Sequence, residues 1–444
     1  MGIKFEAKCI GLNELGYGMF HVKNKTEAVP NFLPKEVAII EQSEYNGYKN
    51  YRLHKVLKPA KERVDPKCSV YHKCGSCQLL HMNYDSQIEF KKNYVLNCFK
   101  EYKIPFKINE IIRAEQKVAY RNKMQIGYRV RDNQVIYGFY EEDTHRVVAI
   151  DKCNVHSAKQ NEVAAMIAKV MKELRIMPYN EDKKTGVIRY ALIREAIMTK
   201  QLLVTIVTGS EVFPGKNEFI KRLLAKCPYI NTIIQNINGR KTSIVLGDRE
   251  KVLYGSGSIE EILCGIKFKL SSQTFFQVNP VQTEKLYNKV AEYANFKGNE
   301  IIIDAYCGVG TIGMTLAKHV KHVYGVESNK KSVANARQNA IDNKVKNISF
   351  VCEDATNYIM ELAKEKCQID AIIMDPPRSG STEAFLNAVK ELKPQKVVYV
   401  SCEAKTLARD LKLLEKDYII TSSAIVDLFV GTYHIETIVS LIKK

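Results

Sequence analysis

The spacing of apolar residues changes character twice along this 444-residue chain. Over residues 1–57, apolar and polar positions alternate in short runs broken by Gly, Pro and Asn, as in "KFEAKCIGL", "GYGMFHV", "EVAIIEQ" and "YRLHKVL". Alternation of period two over such short runs predicts a small all-β module, a β-barrel. The charged, proline-bounded "KPAKERVDPK" (58–67) reads as a linker, and a helix is expected near 84–103. Between 106 and 270 the pattern is mixed. "YRNKMQIGYRV" and "NQVIYGFY" read as strands, "SAKQNEVAAMIAKVMKELRI" has apolar residues at helical spacing, and "YALIREAIM" with "QLLVTIVT" reads as a hairpin. A central α+β domain over 58–270 is therefore expected. From 271 to 444, short apolar strands such as "EIIIDAY", "HVYGVE", "IDAIIMD" and "KVVYVS" alternate with helical stretches. That is the signature of a doubly wound, mainly parallel, Rossmann-like α/β domain.

Charge divides the chain at the same place. Residues 1–290 hold 47 Lys+Arg against 30 Asp+Glu, whereas 291–444 hold 20 against 19. A front of net +17 joined to a back of +1 suggests that the front grips a polyanion while the back does chemistry. No apolar run reaches the length of a membrane span, and the N-terminus "MGIKFEAKCIG" lacks a signal-peptide core. A cytoplasmic protein without membrane contact is expected. Twelve cysteines in that compartment point to metal binding, catalysis or burial, not disulfides.

Candidate chemistry gathers in the last third. "IIIDAYCGVGTIGMTLA" sets Gly308, Gly310 and Gly313 in a turn between a strand and a helix, and Glu327 ends the next strand. Glycines let a ligand approach the backbone, and an acid at that strand end binds ribose hydroxyls. NAD and S-adenosylmethionine sites share this arrangement. Asp304 before the turn and Asp354 after the third strand favour the methyl donor, because a pyrophosphate would be repelled by Asp304. "DPPRSG" stiffens the end of the fourth strand and holds Asp375, with Arg378 beside it. Cys402 ends the fifth strand, as a packed small hydrophobe or as a nucleophile. "DLFVGTYHIETI" then offers Asp427, His434 and Glu436 as bases on the same edge.

On "FFQVNP" (275–280), "DAYCGVGTIG" (304–313), "DPPRSG" (375–380), "YVSCEAKTLARD" (399–410) and "HIETIV" (434–439), the C-terminal part resembles the S-adenosylmethionine-dependent RNA uridine-5-methyltransferase family. The resemblance implies a methyltransferase domain with Cys402 as nucleophile and Glu436 as the proton-abstracting base. It implies Gln277, Tyr306, Glu327, Asp354 and Asp375 as cofactor-binding residues. Two departures stand out: Glu403-Ala404 replaces the family's usual Asn-Pro, and "FVGTYH" replaces "FP-x-T-x-H".

Cys68, Cys74 and Cys77 are spaced C-x5-C-x2-C, with Cys153 or His156 as a fourth ligand. Spacing leaves structural zinc and an iron–sulfur cluster both open, with zinc slightly favoured. The resemblance implies a [4Fe–4S] cluster on Cys68, Cys74, Cys77 and Cys153. The N-terminal module resembles the RNA-binding TRAM domain through "GLNELGYGMF" and "VPNFLPKEV". "YRNKMQIGYRVR" (120–131) interleaves Tyr120 and Tyr128 with basic residues, a pattern that stacks bases while tracking phosphates. A TRAM module together with the cluster cysteines implies a monomeric enzyme that methylates carbon 5 of a flipped-out uridine in 23S rRNA. A tRNA uridine-5-methyltransferase is the alternative, and a non-catalytic RNA-binding iron–sulfur protein is the alternative of another class.

Overall fold

The computed structural model describes residues 2–444 apart from 46–47, 142–143, 145 and 241–243. The largest sheet has eight strands in the order 348–352, 322–327, 301–305, 371–374, 396–401, 436–443, 418–426, 110–112. The first five run parallel, and Glu436–Lys443 is inserted antiparallel between Lys396–Ser401 and Tyr418–Val426. These strands read as continuous apolar runs because helices cover both faces. The faces separate residue by residue. Ile302, Ile373, Val398 and Ile438 join one apolar layer, and their neighbours Ile303, Ile372, Val397 and Val439 join the other.

The helix starts are set by capping side chains. Asn279 accepts from the Gln282 N–H and Pro280 occupies the first helical turn of Pro280–Ala294. Thr382, Asp354 and Asn329 cap the helices Glu383–Leu392, Ala355–Lys364 and Lys330–Asp342 in the same way. Asn329 and Asp354 stand two residues past the ends of strands 322–327 and 348–352, so these caps also fix where the connecting loops cross the sheet edge.

Two elements from before residue 113 are built into this sheet. Helix Tyr84–Glu101 packs Val95, Cys98 and Phe99 into the layer that holds Leu407 and Leu411 of helix Ala404–Leu414. The three-residue strand Glu110–Ile112 pairs in parallel with Ala424–Val426 and covers the outer edge.

The middle of the chain forms a seven-stranded sheet in the order 147–149, 134–140, 123–131, 188–195, 202–208, 232–237, 249–254. Helices Ala158–Glu173 and Lys216–Lys226 pack on it, and the expected hairpin is present as Ile188–Glu195 with Leu202–Thr208. The N-terminal strands form two three-stranded antiparallel sheets around one core containing Phe20, Phe32, Ala38 and Ile40. Glu36, fully buried in this module, accepts from Arg63 of the linker.

One expectation is corrected here. Tyr120 and Tyr128 do not stack bases: both rings are buried, Tyr128 donating to the Ala164 carbonyl and Tyr120 to the Val430 carbonyl. Arg129 is likewise occupied, by the Tyr179 carbonyl and by Glu181. The strand's alternation reflects one face packed under a helix, which composition alone does not separate from a nucleic-acid face.

Candidate active site

The carboxyl ends of the parallel strands bring the candidate residues to one edge. Ala305 leads to Tyr306, Met374 to Asp375, and Ser401 to Cys402. Glu436 arrives from the opposite direction. Register pairs Ser401 with Thr437 across antiparallel strands, which sets Cys402 beside Glu436. This is a close encounter between residues 34 positions apart in sequence, and it follows from strand order and register.

The pocket is crowded with acids. Burial and then the neighbouring Asp375 raise the Glu436 carboxyl to about 8, while Arg378 works the other way. Burial raises Asp375 to about 7. Burial, then Glu436 and Asp375, push the Cys402 thiol to about 12, with Arg378 again opposing. Glu436 is buried and Asp375 and Cys402 are half-buried; desolvation holds all three toward their protonated forms, and the Arg378 guanidinium opposes this at Glu436 and Cys402. Burial, with Arg378 next, lowers His434 to about 4, and the Arg378 guanidinium lies 3.2 Å from His434 Nε2. His434 is therefore a neutral neighbour of Arg378 and a poor candidate for a charged group. Asp427, the third acid of that loop, is buried against Lys91 and Tyr84 and is excluded as a free base.

The glycine turn lies next to this edge. Gly308 and Gly310 adopt φ of +57° and +79°, conformations that favour glycine, and a side chain at Gly310 would strike Phe350. Glu327 accepts from the Gly308 N–H at 3.2 Å and from the Asn329 N–H at 2.7 Å, which fixes its carboxylate at the turn. Asp304 Oδ2 accepts from the Gly313 N–H at 2.7 Å, whereas its buried Oδ1 has no partner. Burial raises this carboxyl to about 7. Tyr306 donates or accepts at Ser381 Oγ, 2.9 Å away. Phe275, Gln277, Tyr306, Gly308, Thr311 and Asp375 are among the residues lining a cavity of about 80 Å³. The orphaned Asp304 oxygen and the open glycine turn beside Gln277, Tyr306 and Asp375 suit a cationic ligand, and the cavity itself has room for only part of one that bears an adenosine. Asp354 stands at the same edge, but its Oδ1 caps the helix Ala355–Lys364. A larger cleft, about 1030 Å³, opens between the N-terminal sheets and helix Tyr84–Glu101. It includes none of the strand-end residues, so the smaller cavity is the cofactor candidate.

The residue after the nucleophile candidate has a defined job. Glu403 caps the helix Ala404–Leu414 through the Lys405 N–H and accepts from the Tyr94 hydroxyl. Sequence inspection missed Tyr94, and also Lys91, because both lie on a helix some 300 residues away from the loop they hold.

The cysteine segment is close to this loop. Cys77 and Cys153 pack with Tyr120, Val155 and Val430. Burial, then the proximity of Cys153, Cys74 and Cys68, pushes the Cys77 thiol to about 12. All four sulfurs are free thiols. Among the described residues, no group of three or more His, Cys, Asp or Glu is arranged to hold a metal ion. The four thiols thus gather without converging on a single-ion geometry. His156 is buried and its Nε2 lies 3.2 Å from the Lys123 carbonyl.

Known proteins match the chain closely. The tRNA (uracil-5-)-methyltransferase family matches residues 83–444. An RNA methyltransferase of Clostridium acetobutylicum is 40% identical over 398 residues, covering 88% of this chain and 86% of its own. Another, of Bacillus cereus, is 36% identical over 441 residues, covering 98% and 96%. The solved structure of Pyrococcus abyssi tRNA (uracil-54, C5)-methyltransferase in complex with S-adenosyl-L-homocysteine superposes with a TM-score of 0.79 at 27% identity. That superposition covers 99% of this chain and 100% of the other.

Proposed function

The chain belongs to the tRNA (uracil-5-)-methyltransferase family, and from that premise we propose that it methylates carbon 5 of a uridine in RNA through a covalent Cys402 adduct. The observation that carries this reading is the register that sets Cys402 beside Glu436 at the edge holding Asp375. The Cys402 thiolate adds to carbon 6 of the uracil and makes carbon 5 nucleophilic. Gln277, Tyr306, Glu327, Asp354 and Asp375 would hold S-adenosylmethionine, which would supply an electrophilic methyl group there. After methylation, Glu436 removes the carbon 5 proton, and the Cys402 sulfur leaves as the ring double bond reforms. Glu436 must be a carboxylate for that step, and Arg378 favours this form.

RNA carrying 5-fluorouridine has no removable proton at carbon 5, so it is expected to trap a protein–RNA adduct through Cys402. Cys402→Ala should form no adduct and no 5-methyluridine. Normal methylation by that variant would falsify the mechanism.

For the RNA itself we favour 23S rRNA, from the TRAM-like module and the cysteine pattern. A tRNA substrate is the second reading, favoured by the likeness to the Pyrococcus abyssi tRNA enzyme. Mass spectrometry of 5-methyluridine in 23S rRNA and tRNA, from cells with and without the protein, separates the two. We assign the four gathered thiols, Cys68, Cys74, Cys77 and Cys153, to a [4Fe–4S] cluster that organises the middle of the chain. Anaerobically purified protein is then expected to be brown, with about four irons per chain. A colourless protein with stoichiometric zinc would overturn that assignment.

A further inference from the structure

The loop that delivers Glu436 is held from outside its own sheet. Lys91, on helix Tyr84–Glu101, is fully buried, as is its partner Asp427. Lys91 Nζ donates to Asp427 Oδ1 at 2.6 Å and to the Phe429 carbonyl at 3.1 Å. The Tyr84 hydroxyl donates to Asp427 Oδ2 at 3.0 Å. One turn along the same helix, Gln87 Oε1 accepts from the Gly431 N–H at 3.0 Å. Thr432 then folds back on the same Phe429 carbonyl through its N–H and its hydroxyl. The Phe429 carbonyl is therefore the point where the distant helix and the turn leading to His434 and Glu436 meet.

A buried ion pair is an inefficient source of stability, because desolvation of both charges offsets their attraction. What it does supply is a fixed geometry. The Lys91 ammonium reaches the loop at two points, and one of them is a backbone carbonyl seven residues before Glu436. Cys402 follows a different strand, Lys396–Ser401; the next residue, Glu403, accepts from Tyr94 of the same helix, while both Lys91 hydrogen bonds given above go to the loop that leads to Glu436.

We propose that Lys91 and Asp427 are positioning residues for Glu436, acting on the proton-removal step and not on attack by Cys402. The inference rests on the reading of Glu436 as the base. It separates two halves of the reaction: adduct formation and methylation depend on the Cys402 edge, and resolution of the methylated adduct depends on the loop that Lys91 holds.

The test is the double variant Lys91→Met/Asp427→Leu, which replaces the buried pair with apolar side chains of similar size and leaves no unpaired buried charge. In a single turnover with RNA and S-adenosylmethionine, methyl transfer should stay within about threefold of wild type while steady-state turnover falls on the order of 100-fold. A denaturing gel should show the protein–RNA adduct accumulating. A role confined to stability predicts no adduct and a loss that follows the unfolded fraction. Wild-type turnover without adduct, or equal loss of both steps, overturns the proposal. If the double variant does not fold, the near-isosteric Asp427→Asn carries the same test, with adduct accumulation expected and its absence overturning the proposal. Glu436→Gln is the control. If folded Glu436→Gln accumulates no adduct, the base assignment fails and this inference with it. If Glu436→Gln accumulates adduct and the double variant does not, only the positioning role fails.

Discussion

Glu436 illustrates the cost that burial sets on a charge. An acid whose folded-state pKa lies above its unfolded value binds its proton more tightly in the native state. Stability then falls as pH rises through that interval. For Glu436 the interval runs from an ordinary 4.5 to about 8. Glu436→Gln is therefore expected to melt above wild type at pH 8 and equal to it near pH 4. Scanning calorimetry at the two pH values checks this, and a gap that widens toward acid would contradict it. The same acids hold the Cys402 thiol up. Its alkylation by iodoacetamide should keep rising from neutral to about pH 10, with no plateau near an ordinary thiol value. Glu436→Gln should speed alkylation, since the second largest cause of the shift is then gone. At this scale the sequence was informative where chemistry is local and silent where it is not. Cys402 and the glycine turn stood out by their positions after apolar strands, and Glu436 by its position just before the final one. Lys91 carried no signal of its own, and Tyr128 looked like a base-stacking ring, because burial is decided by elements that arrive from elsewhere.

Among the elements, the helix Ala404–Leu414 ties the site together. Glu403 opens it, Asp410 lies fully buried inside it, and Asp410 accepts from the Tyr399 hydroxyl at 2.6 Å and the Ser381 N–H at 2.7 Å. One helix thus anchors the strand before Cys402 and the turn after Asp375. Asn is a stronger helix cap than Glu by intrinsic preference, but Glu is long enough to reach Tyr94 as well. Glu403→Ala should cost about 1 kcal/mol through the lost cap, and it also leaves the Tyr94 hydroxyl without this acceptor. Urea unfolding of the single variant and of Tyr94→Phe/Glu403→Ala would show the two residues coupling, whereas simple additivity would deny the link. The strand–helix alternation of the C-terminal sheet was legible because its central strands are buried on both faces and most of its helices open on a polar cap. Strand Glu110–Ile112 was not legible, since three residues carry no period and their pairing depends on a partner more than 300 positions away.

For the whole molecule, the uneven charge remains the main pointer to how RNA is held. The first 290 residues carry the +17 excess, yet the strand at 120–131 does not present it through stacked tyrosines. The expected grip is therefore electrostatic and spread over lysines and arginines rather than concentrated in aromatic stacking. Binding of a substrate RNA measured between 50 and 200 mM salt should weaken steeply, by on the order of 10³-fold if about six phosphates are neutralised. A flat response would place recognition in uncharged contacts.

The strand Glu110–Ile112 has a consequence for how this chain tolerates being cut. It is the outermost strand of the eight, and it covers Ala424–Val426 at the edge of an otherwise apolar strand pair. A fragment beginning after it would keep every residue of the glycine turn and of the Cys402 edge. It would also expose unpaired backbone N–H and C=O groups along a hydrophobic margin, a template on which other copies add strands. Such a fragment is expected to form sheet-rich aggregates rather than an active miniature enzyme. The border of the catalytic unit is thus set by the need to close a sheet edge, and it falls well upstream of the point where the composition changes.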